Sequence, residues 1–225
     1  MNVRTSLADG KEHQDATRRH LLEAAGEVFS ELGFRNATVR EICHRAGANV
    51  AAVNYHFGDK ETLYLEVLRH AHHKALEKYP LLLDAPESAS PEEKLKCFIL
   101  SLLSRIFDKG PNSWHGRLMS REMIEPTHAL DSLVQERIRP MSEVLWGIIA
   151  EILDCPPTDE RVVASAFSVL SQCVFYKHCR PCVGSLFPGL LPENEKGVAR
   201  LAAHITDFSL AAMRGFSSKN RGKKR

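Results

Sequence analysis

The stretch TVREICHRAGANVAAVNYHFGDKE, residues 38–61, decides the fold of this chain. Thr38 and Glu41 have the spacing of a capping box, in which each side chain satisfies an amide at the start of a helix. Gly47 predicts the end of that helix, because glycine takes a positive φ without strain. Asn49 then predicts the cap of a second short helix.

Two short helices joined by a tight turn make a helix–turn–helix. Such a motif needs a turn of about three or four residues, often with glycine, and residues 47–49 supply it. Asp59 predicts the cap of a further helix directly after the second one. The second helix of such a pair can enter the major groove, so the stretch predicts a unit that reads DNA.

A resemblance to a known family rests on the same residues. AGANVAAVNYHFGDKETLY, residues 46–64, closely resembles the signature of the TetR family of bacterial transcriptional regulators. The resemblance runs from about Thr17 to Leu65, and the triplet at 55–57 is among its most specific parts. It implies an all-helical homodimer whose N-terminal domain binds a palindromic operator and whose larger C-terminal domain binds a small molecule.

A second resemblance concerns the subgroup. SREMIEPTHALDSLVQERIRP, residues 120–140, is similar to the ligand domain of CecR-like regulators. Together the two matches predict an all-α chain of about nine helices. The expected parts are a helix–turn–helix domain over 16–62, a ligand-binding and dimerisation domain over 63–216, and a basic disordered tail over 217–225.

The apolar pattern places helices along the rest of the chain. Helical spacing predicts a first helix over 16–32, with Gly33 as its end. A long helical segment over 126–153 should be kinked or split at Pro140, which lacks an N–H donor. Residues 181–192 are expected to form a loop before the last helix. Neither a strand pattern nor an internal repeat is visible in the sequence.

The resemblance assigns Asn49, Val50, Ala51 and Asn54 to base edges and Tyr55 and His56 to phosphates, and Thr38 and Lys60 are expected to anchor the DNA backbone. Asparagine can pair with adenine through two hydrogen bonds, while valine and alanine can contact thymine methyl groups. Val53 and Phe57 should instead face the small core. The residues expected to contact DNA are Thr38, Arg40, Asn49, Val50, Ala51, Asn54, Tyr55, His56 and Lys60.

Overall charge adds little to the argument for DNA binding. The net charge is only +2, and residues 1–60 carry equal numbers of basic and acidic residues. Any attraction to phosphate must therefore come from local placement, helix N-termini and the basic tail. A helical interaction protein without DNA binding is the alternative that this neutrality leaves open.

The last two long helices carry apolar stripes. Either these stripes face the core of their own subunit, or they form a four-helix dimer interface. The family resemblance favours the dimer. The residues assigned to the interface are Val162, Ala166, Val169, Leu201, Ile205 and Phe208.

The middle helices hold the candidates for an effector site. Their aromatic residues and methionines suit a mostly apolar molecule, although such residues at helical spacing are also ordinary packing. Arginine and histidine side chains there could orient polar groups of the molecule. The residues assigned to the ligand are Phe98, Leu102, Trp114, His115, Arg117, Met119, Arg121, Met123, Trp146 and Phe175.

Cysteines offer a different kind of response. Cys179 and Cys182 form a single Cys-x-x-Cys pair, and Cys173 lies six residues before it. A structural zinc site normally needs four ligands from two such pairs, so no metal or cofactor is expected. A thiol- or zinc-responsive regulator that uses these three cysteines remains the alternative function.

Catalysis is not expected, because the sequence has no nucleophile–base motif, phosphate-binding glycine loop or metal signature. No run of 18 apolar residues and no signal-peptide core is present, so a soluble, cytoplasmic protein is expected. The sequence thus predicts a homodimeric repressor that binds operator DNA and is released by a small, largely apolar effector.

Overall fold

Helices make up the regular structure of the described residues. The computed structural model describes the backbone of residues 3–110 and 114–222 and the side chains of residues 14–110 and 114–216. No strand occurs among them, so the predicted all-α fold class is confirmed. The helices are α1 Val3–Asn36, α2 Val39–Ala46, α3 Val50–Phe57, α4 Lys60–Lys78, α5 Pro91–Ile106, α6 Trp114–Ile124, α7 Ala129–Leu133, α8 Arg139–Leu153, α9 Glu160–His178, α10 Arg180–Leu186 and α11 Glu195–Gly222.

The first helix starts earlier than the sequence predicts and stops where expected. α1 begins at Val3 rather than near Ala16, because the polar segment before Ala16 contains the helix-favouring residues Leu, Ala, Lys and Glu. Gly33 has φ 78° and ψ 164°, a conformation outside the helical region that suits glycine. The predicted end of the helix at Gly33 is therefore confirmed.

Proline and terminal segments explain the other differences. A π-helical turn over Val134–Ile138 precedes α8, and Pro140 lies in the first turn of α8, so the predicted split is confirmed. Part of the predicted loop over 181–192 is helical, because a proline fits the first turn of α10. α11 continues to Gly222, into the segment predicted to be a disordered tail, and residues 223–225 lie outside the described residues.

Contacts between Cα atoms divide the chain into two compact units. The first unit comprises Met1–Lys74 and Gly110–Gln135, and the second comprises Ala75–Lys109 and Glu136–Arg225. One boundary falls within α4, so that helix contributes residues to both units. The functional boundaries at 16–62 and 63–216 stay a prediction.

The first unit is built around α1, which contacts α2, α3 and α6. Its buried apolar residues on α1 are Leu21, Leu22, Ala24, Ala25, Val28 and Phe29. The Tyr64 ring of α4 packs edge-on against Phe29, with 4.9 Å between the ring centroids. This core fixes the short helices α2 and α3 on α1, so their outer faces stay at the surface.

Gly26 of α1 leaves room for Trp114, the first residue of α6. The Trp114 side chain is fully buried, and a Cβ atom at Gly26 would overlap its ring. We expect Gly26→Ala to lower the free energy of unfolding by about 1–3 kcal/mol, because the tryptophan must move out of a packed site. Thermal or urea unfolding measures the loss.

Gly147 provides the matched control for this change. It lies in α8, where an added Cβ meets nothing within 4 Å, so Gly147→Ala should be neutral or stabilising by up to about 1 kcal/mol. Trp114→Phe should partly restore the Gly26→Ala protein, since the two changes share one contact. Equal unfolding temperatures for the Gly26→Ala and Gly147→Ala proteins would contradict the packing described here.

A buried carboxylate links α4, α6 and the segment before α7 within the first unit. Glu122 is 0% exposed, and Tyr64 Oη donates to its Oε2 at 2.6 Å. The backbone N–H and hydroxyl of Thr127 both donate to Glu122 Oε1 at 2.9 Å. Burial, followed by the hydrogen bond to Glu122, raises the pKa of Tyr64, so the phenol keeps its proton. The network holds α6 in one position.

The second unit has a separate core formed by α5, α8, α9 and α11. Leu95, Ile99 and Leu103 of α5 are fully buried there with residues of the other three helices. A complete capping box starts α5, since Ser90 accepts from Glu93 N and Glu93 accepts from Ser90 N. The second unit therefore has a helical core of its own.

Candidate nucleic-acid interface

Only one of the two hydrogen bonds of the predicted capping box forms at the start of α2. Thr38 Oγ1 accepts from Glu41 N at 3.1 Å, which starts the helix. The Glu41 carboxylate lies 3.6 Å from Arg45 Nη2 instead of returning to the Thr38 amide. The prediction of a reciprocal capping box at Thr38 was therefore wrong, because the i,i+4 ion pair takes the Glu41 side chain.

The turn and the start of α3 follow the predicted pattern. Gly47 has φ 63° and ψ 29°, and it ends α2 in the left-handed region. Asn49 Oδ1 accepts from Ala52 N at 2.9 Å and caps α3. Asp59 Oδ1 accepts from Thr62 N at 2.7 Å at the start of α4. These local bonds fix the angle at which α3 leaves α2.

α3 has one buried side and one exposed side. Val53 is fully buried and Phe57 nearly so, as predicted. Tyr55 is 71% exposed and its ring stands edge-on to His56, with 5.0 Å between centroids. The assigned residues that are exposed are Thr38, Arg40, Asn49, Val50, Ala51, Asn54 and Tyr55, while His56 and Lys60 are half-buried. This surface offers amide, hydroxyl and methyl groups together, the groups that contact base edges.

Two basic side chains near this surface are engaged within the first unit. Lys60 Nζ donates to the Ala37 carbonyl at 3.0 Å and lies 4.5 Å from the Phe34 ring centroid. Arg45 lies near three carboxylates, and its hydrogen bond to Glu31 is the main reason that its pKa is raised. Both side chains therefore hold α2 and α4 in place, and Lys60 keeps further N–H donors for a phosphate.

The structure corrects the residues assigned to the dimer interface. Five of the six are buried in the core of their own subunit, because the apolar stripes of α9 and α11 face inward: Val162, Ala166, Val169, Leu201 and Ile205. Phe208 alone of the assigned set is on the surface, at 60% exposure.

Outward faces of α9 and α11 show what the sequence assignment missed. Exposed residues follow each other at helical spacing and are mostly small or aromatic: Ala164, Phe167, Ser168, Ser171, Val174 and Phe175 on α9, and His204, Phe208, Ala211, Ala212, Gly215 and Phe216 on α11. An apolar groove of about 370 Å³ lies between the two helices, lined by residues such as Ser168, Phe208 and Phe216. Small residues between the buried positions of α9, such as Ala164, Ser168 and Ser171, were the signal in the sequence that could have located this outward face.

The ligand residues assigned in the first unit have structural contacts instead. Trp114 fills the site beside Gly26, and the buried His115 ring lies edge-on to it at 4.0 Å. Arg117 Nη2 donates to Ser30 Oγ at 3.4 Å. Arg121 Nη1 donates to the carbonyls of Ser30 and Glu31 at 3.4 and 3.3 Å. These two arginines face the C-terminal part of α1, where cations favour the exposed carbonyls.

The remaining assigned ligand residues divide between the two units. Met119 is half-buried and Met123 exposed in the first unit. In the second unit Phe98 is fully buried in the core, while Leu102 and Trp146 are half-buried at the edge of that core. Phe175 is exposed on the outward face of α9, and the ligand assignments stay a prediction.

The three cysteines differ in their surroundings. Cys173 is fully buried, and burial raises its pKa to about 12, so its thiol stays protonated near neutral pH. Cys179 is half-buried and Cys182 exposed, and every cysteine is in the free thiol form. No cluster of three or more metal-binding side chains occurs among the described residues. That the chain has no metal, cofactor or catalytic site stays a prediction.

A thiol or zinc response is testable by removing the pair. We expect the protein with Cys179→Ser and Cys182→Ser to bind DNA as wild type does, with unchanged metal content, because the third thiol is buried and protonated. Elemental analysis and DNA titration measure both quantities. Stoichiometric zinc that disappears in the double variant would establish the alternative function instead.

None of the described helices is both long enough and apolar enough to cross a membrane.

Two segments of the chain match family models of transcriptional regulators. Residues 21–67 match the family model described as bacterial regulatory proteins, tetR family. Residues 91–213 match the model of the C-terminal domain of the HTH-type transcriptional dual regulator CecR. The first match contains α2, the turn and α3, and the second contains most of the core helices of the second unit.

Individual relatives extend over most of the chain. The HTH-type transcriptional dual regulator CecR of Shigella flexneri is 26% identical over 171 residues, which are 72% of this chain and 76% of that protein. The HTH-type transcriptional repressor NicS of Pseudomonas putida is 27% identical over 210 residues, 89% and 93% of the two chains. A putative transcriptional regulator from Pseudomonas aeruginosa PAO1 has a similar fold, with a TM-score of 0.64 and 18% identity over 88% of this chain and 93% of that one.

Proposed function

This chain belongs to the TetR family of bacterial regulatory proteins, with a C-terminal domain of the CecR type, and we propose that it is a homodimeric repressor released from its operator by a small effector. Regulators of this family are typically DNA-binding repressors. The operator, the dimer and the effector response are the parts that we propose for this chain.

The observation that carries the proposal is the exposed side of α3. Its N-cap, its buried residues and its turn all fix the helix so that Val50, Asn54 and Tyr55 point outward together. The N-termini of α2 and α4 begin close by in sequence with capped, exposed starts that suit phosphate oxygens. We propose that α3 reads bases while Thr38, Arg40, His56 and Lys60 face the backbone of the duplex.

The groove between α9 and α11 supports the dimer. Phenylalanines at 59% and 60% exposure, Phe167 and Phe208, are costly to leave in water and are concentrated on one pair of helices. Small residues beside them allow helices of a second copy to approach closely. We propose that the two subunits are related by a two-fold axis and that each α3 contacts one half-site of a palindrome, with half-sites about 34 Å or a multiple apart.

The coupling that we propose runs through α6 and α4. α6 lies in the region matched by the CecR C-terminal domain, yet Trp114, Arg117 and Arg121 attach it to α1 within the first unit. An effector that changes the position of α6 would therefore act directly on the helix that carries α2 and α3. α4, which contributes to both units, is the second route.

The sign of regulation that we propose follows the relatives. NicS of Pseudomonas putida is named a repressor, and CecR of Shigella flexneri is named a dual regulator. Binding to an operator near a promoter blocks transcription most simply, so repression is the proposed outcome for this chain. An effector that prefers the DNA-free form would then induce the genes.

Selection from random duplex DNA tests the proposal without knowledge of the genome. The full-length protein should enrich a palindromic sequence, and an excess of unrelated DNA should not compete with that sequence. Specific sites are typically about 10³–10⁷ times tighter than nonspecific DNA. Enrichment of no common sequence over several rounds would instead support a helical interaction protein that does not read DNA.

A further inference from the structure

Arg105, near the end of α5, is a charged residue that the core of the second unit leaves incompletely paired. Its Nη1 lies 3.7 Å from Met141 Sδ, a weak acceptor. Its Nε and Nη2 are buried and have no hydrogen-bond partner within the part of the chain that the structure describes. The sequence pattern gave no signal for this residue, because it stands among apolar residues at helical spacing.

Other arginines of the protein pair with carboxylates, whereas Arg105 does not within the described part of the chain. Arg161 makes two hydrogen bonds to the Asp159 carboxylate, at 2.7 and 2.9 Å. Arg45 is held by the carboxylates around it. Burial instead lowers the pKa of Arg105 to about 10, with no contribution from a carboxylate. A guanidinium in this state lacks the partner that normally compensates for the loss of water.

A second guanidinium stands one turn before the residue that Arg105 contacts. Arg137 lies in the π-helical turn, four residues before Met141, and residues at this spacing are neighbours on a helix surface. Its Nε is also buried without a hydrogen-bond partner among the described residues. Two half-buried arginines of the second unit therefore have buried N–H donors without a hydrogen-bond partner among the described residues.

Apolar residues stand next to Arg105 along α5. Leu102 precedes Arg105 by one turn of α5 and is half-buried at the edge of the core. Ile106, the next residue along α5, is also partly buried against the core. A ligand at this place would meet a positive charge and apolar side chains together. A planar carboxylate fits the fork of a guanidinium through two parallel hydrogen bonds.

We propose that the effector is an apolar molecule with a carboxylate group, and that Arg105, assisted by Arg137, binds this carboxylate inside the second unit. The inference rests on the proposed function insofar as it takes the second unit to be the effector-binding part. It adds the charge of the effector, which the family membership does not give. Arg105 is the residue that binds the carboxylate of the effector.

The test compares charged and neutral probes of the same shape on the full-length protein. Benzoate and octanoate are the charged probes, and benzamide and octanamide are the neutral ones, each at millimolar concentration without DNA. Both carboxylates should raise the unfolding temperature of the wild type by about 2–4 °C for each 1 kcal/mol of binding, and both amides should leave it unchanged. Isothermal titration gives the affinity directly.

Two variants decide whether Arg105 is responsible. Arg105→Met keeps the length of the side chain and removes the charge, so the free protein should unfold at the same or a higher temperature and should lose the response to carboxylates. Arg200→Met is the control, because Arg200 is exposed on α11 and donates to the Gly189 carbonyl at 3.2 Å. It should respond to the carboxylates as wild type does.

Three results would overturn the inference. They are a clear loss of stability in the free Arg105→Met protein, an unchanged carboxylate response in that variant, and a wild type that responds to neither carboxylate. The Arg105→Met protein should still bind the DNA selected by the wild type. A wild type that binds carboxylates through Arg105 but selects no DNA would contradict the proposed function and leave the anion site standing.

Discussion

Specific DNA binding should weaken strongly when either Asn54 or Tyr55 is replaced by alanine. Both side chains lie on the exposed side of α3, and neither is needed by the core, which Val53 and Phe57 supply. A bidentate contact to a base is worth about 1–3 kcal/mol, and a symmetric dimer loses it at both half-sites. Affinity for the selected palindrome should therefore fall at least about tenfold, while affinity for unrelated DNA changes little.

Fluorescence anisotropy with specific and unrelated duplexes measures this loss. Asn36→Ala is the matched control, because Asn36 is an exposed asparagine at the end of α1 whose amide donates to the Leu32 carbonyl. Circular dichroism and light scattering should show a native fold and an unchanged dimer in all three variants. If the Asn54→Ala and Tyr55→Ala proteins both bind the palindrome as wild type does, α3 is not the reading helix.

The second large effect concerns assembly. Phe208→Arg should convert the dimer to monomers at micromolar concentration and weaken operator binding. The change places a charge in the apolar groove between α9 and α11, and a two-fold interface contains it twice. Burying a charge without a partner costs several kcal/mol, so association should fail before the subunit unfolds.

Sedimentation analysis distinguishes a monomer from a misfolded chain. Phe187→Arg is the control, since Phe187 is 63% exposed but does not line the groove. Ile205→Glu should behave differently from both, because Ile205 is in the core of its own subunit and its substitution should unfold the second unit. A Phe208→Arg protein that stays dimeric would move the interface away from this groove.

The helix–turn–helix could be predicted from sequence because its signals are local. The cap at Asn49, the left-handed glycine at Gly47 and the cap at Asp59 each depend on residues within one turn. The side of α3 that faces the core also follows from the spacing of Val53 and Phe57. The exception is Glu41. Its carboxylate could pair with either the Thr38 amide or Arg45, and in the structure it pairs with Arg45.

The surfaces of the second unit could not be predicted in the same way. Apolar spacing on α9 and α11 locates a buried face of each helix. The spacing alone does not show whether this face packs against the same subunit or against a partner subunit. The structure shows that Val162 and Ile205 lie in the core of their own subunit, and that Ala164, Ser168 and Ser171 of α9 are exposed. Likewise Trp114 and Arg121 were indistinguishable from pocket residues until their contacts with α1 were known.

A hydroxyl-radical footprint of the full-length protein on the selected DNA tests whether this chain reads a palindrome as a dimer. Two copies of α3 related by a two-fold axis should protect two equivalent half-sites, with centres about 34 Å or a multiple apart. Protection should be symmetric about the centre of the palindrome and should disappear with the Asn54→Ala protein. A single asymmetric patch, or protection that ignores sequence, would contradict the claim that this chain reads a palindrome as a dimer.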